Sequence, residues 1–388
     1  MIYLDNAATS PLHPSARNAM LPHLAEVFAN ASGVYTIGRM ARKHVDDARQ
    51  AIAKIIGANQ NEILFTSGGT ESCNMALKGV VIEKGTHIIT SAIEHPAVIN
   101  TCKYLSTKGF DITYLPVDKH GVVSPQSVQN AICPNTCLVS IIMANNEIGT
   151  IQPLSQIGKI TKEHGIPLHT DAVQAAGHLA VNVDELGVDL LSMSAHKFYG
   201  PKGVGVLYVR KGTKIDPLIH GGQQERGLRS GTENVMGIVG MSAALLAAEN
   251  ERELGPRRIS ALRDSLIDKI LTSIPHTVLN GATGNSRLPG NVNVSFRFIE
   301  GESLLLHLDM HNICASTGSA CSSGALEPSH VLMALGLCHE LANGAIRFSL
   351  GRENTEEDID KLMEVLVPTV QKLRDMSPLY EDFVKNRG

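Results

Sequence analysis

The sequence predicts an α/β fold: a mainly parallel sheet between helices, followed by a smaller α+β unit. Three observations carry this expectation. Short apolar runs alternate with helical patterns along more than half of the chain. Each run ends in a polar turn, as strands do in βαβ units. From about residue 256 the alternation gives way to a different texture, with helices flanking two strand-like runs.

Taken in order, "RMARKHVDDARQAIAKIIG" (39–57) places Ala41, Val45, Ala48, Ile52 and Ile55 at helical spacing and stops at Gly57. "EILFT" (62–66) reads as a strand, followed by "SGGTES" and a helix. "THIIT" (86–90) precedes "EHPAV", where Pro96 suits the first turn of a helix. "CLVSIIM" (137–143) and "IPLHT" (166–170) are further buried strands, and "DLLSMSA" (189–195) and "GVGVLYV" (203–209) complete the series. Glycine and proline interrupt a helical pattern in "ERELGPRR" (251–258), which sets the domain boundary there. Beyond it come the helix "RRISALRDSLIDKILTSI", the strand-like "GNVNVSF", a helix containing "ESLLLHLDM", the strand "AIRFSLG" and a last amphipathic helix.

Composition narrows the partners. With 43% apolar and 19% charged residues the chain reads as an ordinary globular protein. A net charge of -4 gives no reason to expect direct nucleic-acid or anionic-membrane binding. No apolar stretch reaches the ~18 residues that span a bilayer. "MIYLDNAATS" lacks the basic start and apolar run of a signal peptide, so a cytoplasmic location is expected. The cysteines at 73, 102, 133, 137, 314, 321 and 338 are then expected to be thiols. Cys133 and Cys137 lack a second Cys/His pair at ligand spacing, so no metal site is expected.

Ligands of parallel sheets bind beyond the carboxyl ends of the strands. There the sequence sets "SGGTE" (67–71), His95, Asn145 and Asn146, Asp171, and then Ser194, His196 and Lys197. Singly, each has a plainer reading: a Gly-Gly turn, a structural histidine, turn formers, a helix cap, a surface lysine. Together they answer three needs of pyridoxal phosphate. Backbone N–H groups and a hydroxyl at a helix start suit the phosphate. A carboxylate suits the pyridine nitrogen, and an amine suits the aldehyde. Lys197 follows Asp171 by the length of one helix and one strand, so the two can meet across a ring. A dinucleotide is disfavoured, because no G-x-G-x-x-G follows a first strand.

With these motifs in hand the chain resembles a cysteine desulfurase of the NifS/IscS type, in the class-V aminotransferase group and fold type I of the pyridoxal-phosphate enzymes. The resemblance runs nearly end to end through "YLDNAAT", "FTSGGTESCN", "EHPAV", "NNEIGTIQP", "HTDAVQAAG", "SAHKFYGPKG", "ERGLRSGTENV", "STGSACSSG", "AIRFSLGR" and "RDMSPLYE". It implies a large cofactor domain (16–255) with a mainly parallel seven-stranded sheet. It also implies a small domain (256–388) that carries the catalytic cysteine loop and packs against an N-terminal segment (1–15).

It further implies a role for each matching position. Lys197 would carry the cofactor. Asp171 would face the pyridine nitrogen and Gln174 the ring hydroxyl, while His95 would stack on the ring and help move protons. Gly69, Thr70, Ser194 and His196 would hold the phosphate. Thr232 would reach the phosphate of the partner subunit in a homodimer. Asn146 and Arg347 would bind the substrate L-cysteine, with Arg347 gripping the carboxylate. Cys321 would accept the sulfur as a persulfide and pass it to an acceptor such as an iron–sulfur scaffold. Its persulfide would then touch metal only as a cluster on that partner.

The residues give this reading physical sense. Arg347 is a cation in an alternating strand; a salt bridge at a strand edge is the plainer account, and a carboxylate matches its planar guanidinium bidentately. Cys321 stands among serine, glycine and alanine, where a thiol that meets substrate and then delivers sulfur is well placed. An aminotransferase or selenocysteine lyase of the same fold is the rival. The former needs no thiol, and the latter would differ mainly in its reactivity toward cysteine. A catalytically silent scaffold subunit should have lost Lys197 or Cys321, and both are present. "FANASGVYTIGR" departs from the commoner Asn-Pro-Ser-Ser-x-His pattern without touching a named catalytic group.

Overall fold

The computed structural model describes residues 1–80, 85–317 and 328–386. The chain opens with β1 (Ile2–Tyr3). α1 (Pro14–Met20) and α2 (Pro22–Ala25) each start at a proline, whose missing N–H is harmless in a first turn. α3 (Thr36–Ile55) buries Ala41, Val45, Ala48 and Ile52, and the chain leaves it through Gly57 at φ 72°. Strands and helices then alternate: β2 (Ile63–Thr66), α4 (Gly69–Gly79), β3 (His87–Ser91), α5 (Pro96–Ser106), β4 (Asp111–Leu115), α6 (Pro125–Ala131), β5 (Thr136–Ser140), α7 (Leu154–Glu163), β6 (Leu168–Asp171), α8 (Val183–Leu186), β7 (Leu190–Ser194) and β8 (Gly205–Val209).

These strands form one seven-stranded sheet in the order β2-β8-β7-β6-β5-β3-β4. Only β8 opposes the rest, pairing antiparallel with both β2 and β7, so β2 points the same way as β7. The carboxyl ends of six strands therefore share one edge. One core lies under α3 and holds Val45, Ile52, Ile89, Val139 and Met241. A second lies under α4 and α5 and holds Met75, Leu77, Val98 and Leu138. Covered on both faces, β3, β5, β6 and β7 are buried at every position. The edge strand β4 was not anticipated; only Leu115 of its five residues is fully buried, so it leaves no long apolar run in the sequence. β5 ends at Ser140, three residues earlier than the apolar run suggests.

α9 (Val235–Asn250) and α10 (Gly255–Ser273) lead into β9 (Thr277–Leu279), β10 (Asn291–Phe296), α11 (Gly301–Met310) and β11 (Ile313–Cys314). After the undescribed stretch come α12 (His330–Ala334), α13 (His339–Asn343), β12 (Ala345–Ser349), α14 (Glu356–Asp375) and α15 (Pro378–Lys385). The single last helix expected is thus two, because Pro378 starts a new first turn. β12, β10 and β9 form an antiparallel sheet in that order, and β1 pairs parallel with β11. Leu4 is fully buried in the core of this unit with Leu266, Phe296, Phe348 and Leu366. Burying one leucine contributes about 1.5–3 kcal/mol, which helps seat the neighbouring Asp5 beside β12, where it bridges to Ser349.

Candidate active site

Gly205 lies opposite Thr66 of β2 on one side and Ser194 of β7 on the other. This register brings the start of α4 beside the end of β7. Gly68 sits at φ 152°, ψ −176°, a conformation other residues avoid, and no side chain caps the helix that follows. A Cβ at Gly69 would lie 2.6 Å from Val173 Cγ2, and one at Gly68 would lie 3.6 Å from Ser194 Oγ. The result is a shallow cradle with open helix N–H groups and a hydroxyl on its wall, with Thr70 exposed at its rim. His196 follows Ser194, its Nδ1 3.1 Å from Thr9 Oγ1. Burial pushes its pKa down to about 4, helped by Lys197 and Lys202, so it is a neutral donor or acceptor. These groups fit a phosphate.

Asp171 ends β6 and is 4% exposed. Its Oδ1 accepts from Val173 N at 2.9 Å, so the capping-type turn is real and leaves carboxylate oxygen for a second partner. Gln174, in the same turn, donates from Nε2 to the Ala7 carbonyl at 2.9 Å. Lys197 follows β7 and is half-buried, not a solvated surface residue; Nζ donates to the carbonyls of Ala7 at 2.6 Å and Ala8 at 2.8 Å. His95 caps α5, its Nδ1 accepting from Ala97 N. Burial lowers its pKa, Asp171 pulls the other way, and Lys197 and His330 lower it further. Acid, amine and imidazole thus stand within electrostatic reach of one another.

Arg347 lies on β12, 3% exposed. Nη1 donates to the Asn146 carbonyl at 3.0 Å and Nη2 to Asp5 Oδ1 at 2.8 Å. Its Nε is buried without a hydrogen-bond partner among the described residues. The strand-edge salt bridge and an unused donor therefore coexist. Asn145 and Asn146 divide the two readings of their motif. Asn145 is the turn former, its Oδ1 accepting from Glu147 N and Ile148 N. Asn146 is half-buried beside the arginine.

Thr232 is exposed and makes no hydrogen bond to these groups among the described residues. Its loop is held to α4 by Arg229, which pairs with Glu71 at 2.8 Å, to α3 by the buried Arg49–Glu225 pair at 2.6 Å, and to β2 by Phe65 N, which donates to Glu225 at 2.9 Å. Cys321 lies outside the described residues. Among those described, no group of His, Cys, Asp and Glu could hold a metal ion, and no helix is long and apolar enough to cross a membrane.

Five residues escaped the sequence reading. Asp5 and the carbonyls of Ala7 and Ala8 lie in "YLDNAAT", a motif noticed without a role for its residues. Glu94, beside His95, is fully buried; one oxygen accepts from Ser91 Oγ and Ile142 N, and the other has no partner among the described residues. Burial pushes its pKa up to about 8, so it holds a proton at neutral pH. Glu147 is buried beside Asn146 and takes the Ser329 hydroxyl at 2.5 Å. An acidic residue inside a strand-end motif was the available signal for both.

The aminotransferase class-V family model matches residues 2–362. The chain is 56% identical over 381 residues to cysteine desulfurase IscS of Methanosarcina thermophila, covering 97% of this chain and 94% of that one. It is 54% identical to cysteine desulfurase IscS of Dictyoglomus turgidum, covering 100% of this chain and 98% of that protein. Among solved structures, a NifS-like protein superposes with a TM-score of 0.90 at 40% identity, over 96% of this chain and 100% of the other. SspA in complex with cysteine superposes with a TM-score of 0.81 at 38% identity, over 92% and 100%. With an open helix start, an acid and an amine at the ends of a fold type I sheet, the chain belongs to the cysteine desulfurases of the class-V aminotransferase family, whose cofactor is pyridoxal 5'-phosphate.

Proposed function

We propose that this enzyme converts L-cysteine to L-alanine and places the sulfur on Cys321. One observation carries the reading: the segment Asp5–Ala8 binds Arg347 through its first residue and Lys197 through its last two. A carboxylate grip and a reactive amine are thereby set on one short piece of chain, as an α-amino acid requires. A related structure, that of SspA, holds cysteine itself.

Pyridoxal phosphate supplies an aldehyde that condenses with amines and a ring that accepts electrons. Gly69, Thr70, Ser194 and His196 would hold its phosphate, Asp171 a proton on the pyridine nitrogen, and Gln174 the ring hydroxyl. Arg347 and Asn146 orient the substrate carboxylate. Lys197 Nζ would take the proton from Cα, and His95 would assist proton movement nearby. Cys321, as thiolate, attacks the substrate sulfur; the S–S bond forms as the Cβ–S bond breaks. The electron pair stays with the substrate Cβ, which gains a proton, and the proton taken from Cα is returned to Cα to give alanine. A free thiol with pKa ~8.5 is only a few per cent ionised at neutral pH, so a neighbouring base or cation must assist it. The working unit is a homodimer with Thr232 reaching the partner's phosphate, it is cytoplasmic, and the persulfide passes to an acceptor such as an iron–sulfur scaffold.

The test is the Cys321→Ser variant with mass spectrometry. After brief exposure to cysteine, the unmutated protein should carry one added sulfur on the peptide containing Cys321 and none on Cys133, Cys137 or Cys314. Cys321→Ser should still bind cofactor and cysteine but release no sulfur, because a serine hydroxyl cannot relay a persulfide. Sulfur on Cys314, or normal sulfide production by the variant, would identify the wrong cysteine.

A further inference from the structure

Glu147 follows the candidate substrate residue Asn146, yet its carboxylate turns to a part of the chain 182 positions away. Its Oε2 accepts from Ser329 Oγ, and both side chains are buried, at 4% and 5% exposure. Its carbonyl accepts from Asn291 Nδ2 at 2.9 Å and Asn293 Nδ2 at 3.1 Å, both on β10. Asn293 in turn lies opposite Arg347 across the β10–β12 ladder. Gly149, at φ 74°, permits this close approach; a Cβ there would stand 2.6 Å from Asn291 Oδ1. One residue thus joins the turn after β5, the strand beside Arg347 and the start of α12.

Ser329 is a junction. It accepts from Leu332 N to cap α12, whose Val331 and Leu332 pack with Ile93 and Ile148. The next residue, His330, places Nε2 3.0 Å from the Glu94 carbonyl, beside His95. On the other side of the cysteine segment, Ser316 exchanges two backbone hydrogen bonds with Arg347, at 3.1 and 2.6 Å. In sequence, Cys321 lies between these two fastenings.

We infer that Glu147 is a positioning residue for sulfur transfer, fixing the chain that returns from Cys321 at Ser329 to the turn and strand that bear Asn146 and Arg347. The inference rests on the cysteine desulfurase reading and adds a cause to it. The groups that bind the substrate carboxylate and the ends of the segment that bears the sulfur acceptor form one connected unit. A carboxylate is a costly choice for this place: burial raises its pKa to about 7 even though the Ser329 hydroxyl and the Arg347 charge pull it down. An apolar side chain would satisfy packing but could not hold Ser329.

Four variants of the cofactor-loaded enzyme test this: Glu147→Ala, Glu147→Gln, Ser329→Ala and the double alanine variant. Quenched single-turnover mass spectrometry reads the rate at which sulfur appears on Cys321. Cysteine titrations followed by the cofactor absorbance read substrate binding. Misplacing a reacting group by about an ångström costs on the order of 100-fold, so Glu147→Ala and Ser329→Ala should each slow transfer by about 10- to 100-fold. Half-saturating cysteine and the resting spectrum should stay within about twofold, which a general loss of structure would not allow. Glu147→Gln keeps an acceptor for the hydroxyl and should recover to within about threefold, and the double alanine variant should be about as slow as either single one. If Ser329→Ala, the milder change, transfers sulfur at the normal rate, or if losses are additive or matched by weaker binding, the inference is wrong. If the unmutated enzyme puts no sulfur on Cys321, the functional reading itself falls, before any variant is made.

Discussion

Replacing Arg347 with alanine is the perturbation whose size the geometry sets most directly. Nη1 and Nη2 are engaged by Asn146 and Asp5, while Nε is buried and unpaired among the described residues. A substrate carboxylate would take Nε and share the guanidinium charge, an ionic hydrogen-bonded contact worth about 1.5–3 kcal/mol. At about 1.4 kcal/mol per factor of ten, kcat/KM for L-cysteine should fall roughly 10- to 100-fold. Arg347→Lys keeps the charge without the planar fork and should fall between the two. The assay is sulfide production against cysteine concentration with a reductant present. Thermal unfolding checks that Asp5, left without its cation, has not destabilised the fold. The resting cofactor spectrum should barely change, because the Arg347 side chain bonds to Asn146 and Asp5 and not to Asp171, Lys197 or the start of α4. A loss under about twofold in a folded variant would mean that the guanidinium serves only Asp5 and Asn146, and the carboxylate assignment would fail.

Two further outcomes follow from the same structure. Thr232 is exposed in a loop that an ion pair holds to the start of α4, so Thr232→Ala should weaken cofactor retention while sedimentation still reports a dimer; a fully active monomer would refute the proposed shared site. Glu94 keeps its proton in the folded protein up to about pH 8, whereas an ordinary acid releases it near 4.5. The folded state then binds the extra proton across that window, so its contribution to stability is complete below pH 4.5 and is lost as the pH rises toward 8. Glu94→Gln removes that titration, and its melting temperature relative to the unmutated protein should climb steadily from pH 5 to pH 8; a constant difference would mean the acid is ionised throughout.

The strand-end residues were legible because each is local to a pattern. Asp171, Ser194 and Lys197 follow apolar runs directly, and a parallel sheet sends all such turns to one edge. Gly68 and Gly69 were legible as a helix start for the same reason. Less was visible where a residue's meaning lies in a distant partner. Arg347 read as a carboxylate grip, with a strand-edge salt bridge as the plainer account, and it makes the salt bridge while keeping a donor for a carboxylate. β4 was missed because an exposed edge strand needs no apolar face. Lys197 looked like a surface residue in isolation because nothing near it in sequence supplies the two carbonyls that receive it.

The sequence by itself determined the alternation of strands and helices, and with it which chemical groups stand at the sheet edge: hydroxyl, carboxylate, imidazole and amine. Periodicity and turn chemistry act over a few residues, so they can be read without coordinates. Tertiary structure alone decided that Asp5 meets Arg347 across 342 positions, that Ala7 receives Lys197 across 190, and that Glu147 holds Ser329. Those choices come from the demand that buried charges and donors find partners, which most of them meet. Which distant group meets that demand depends on how whole elements pack, and no local stretch of chain records it.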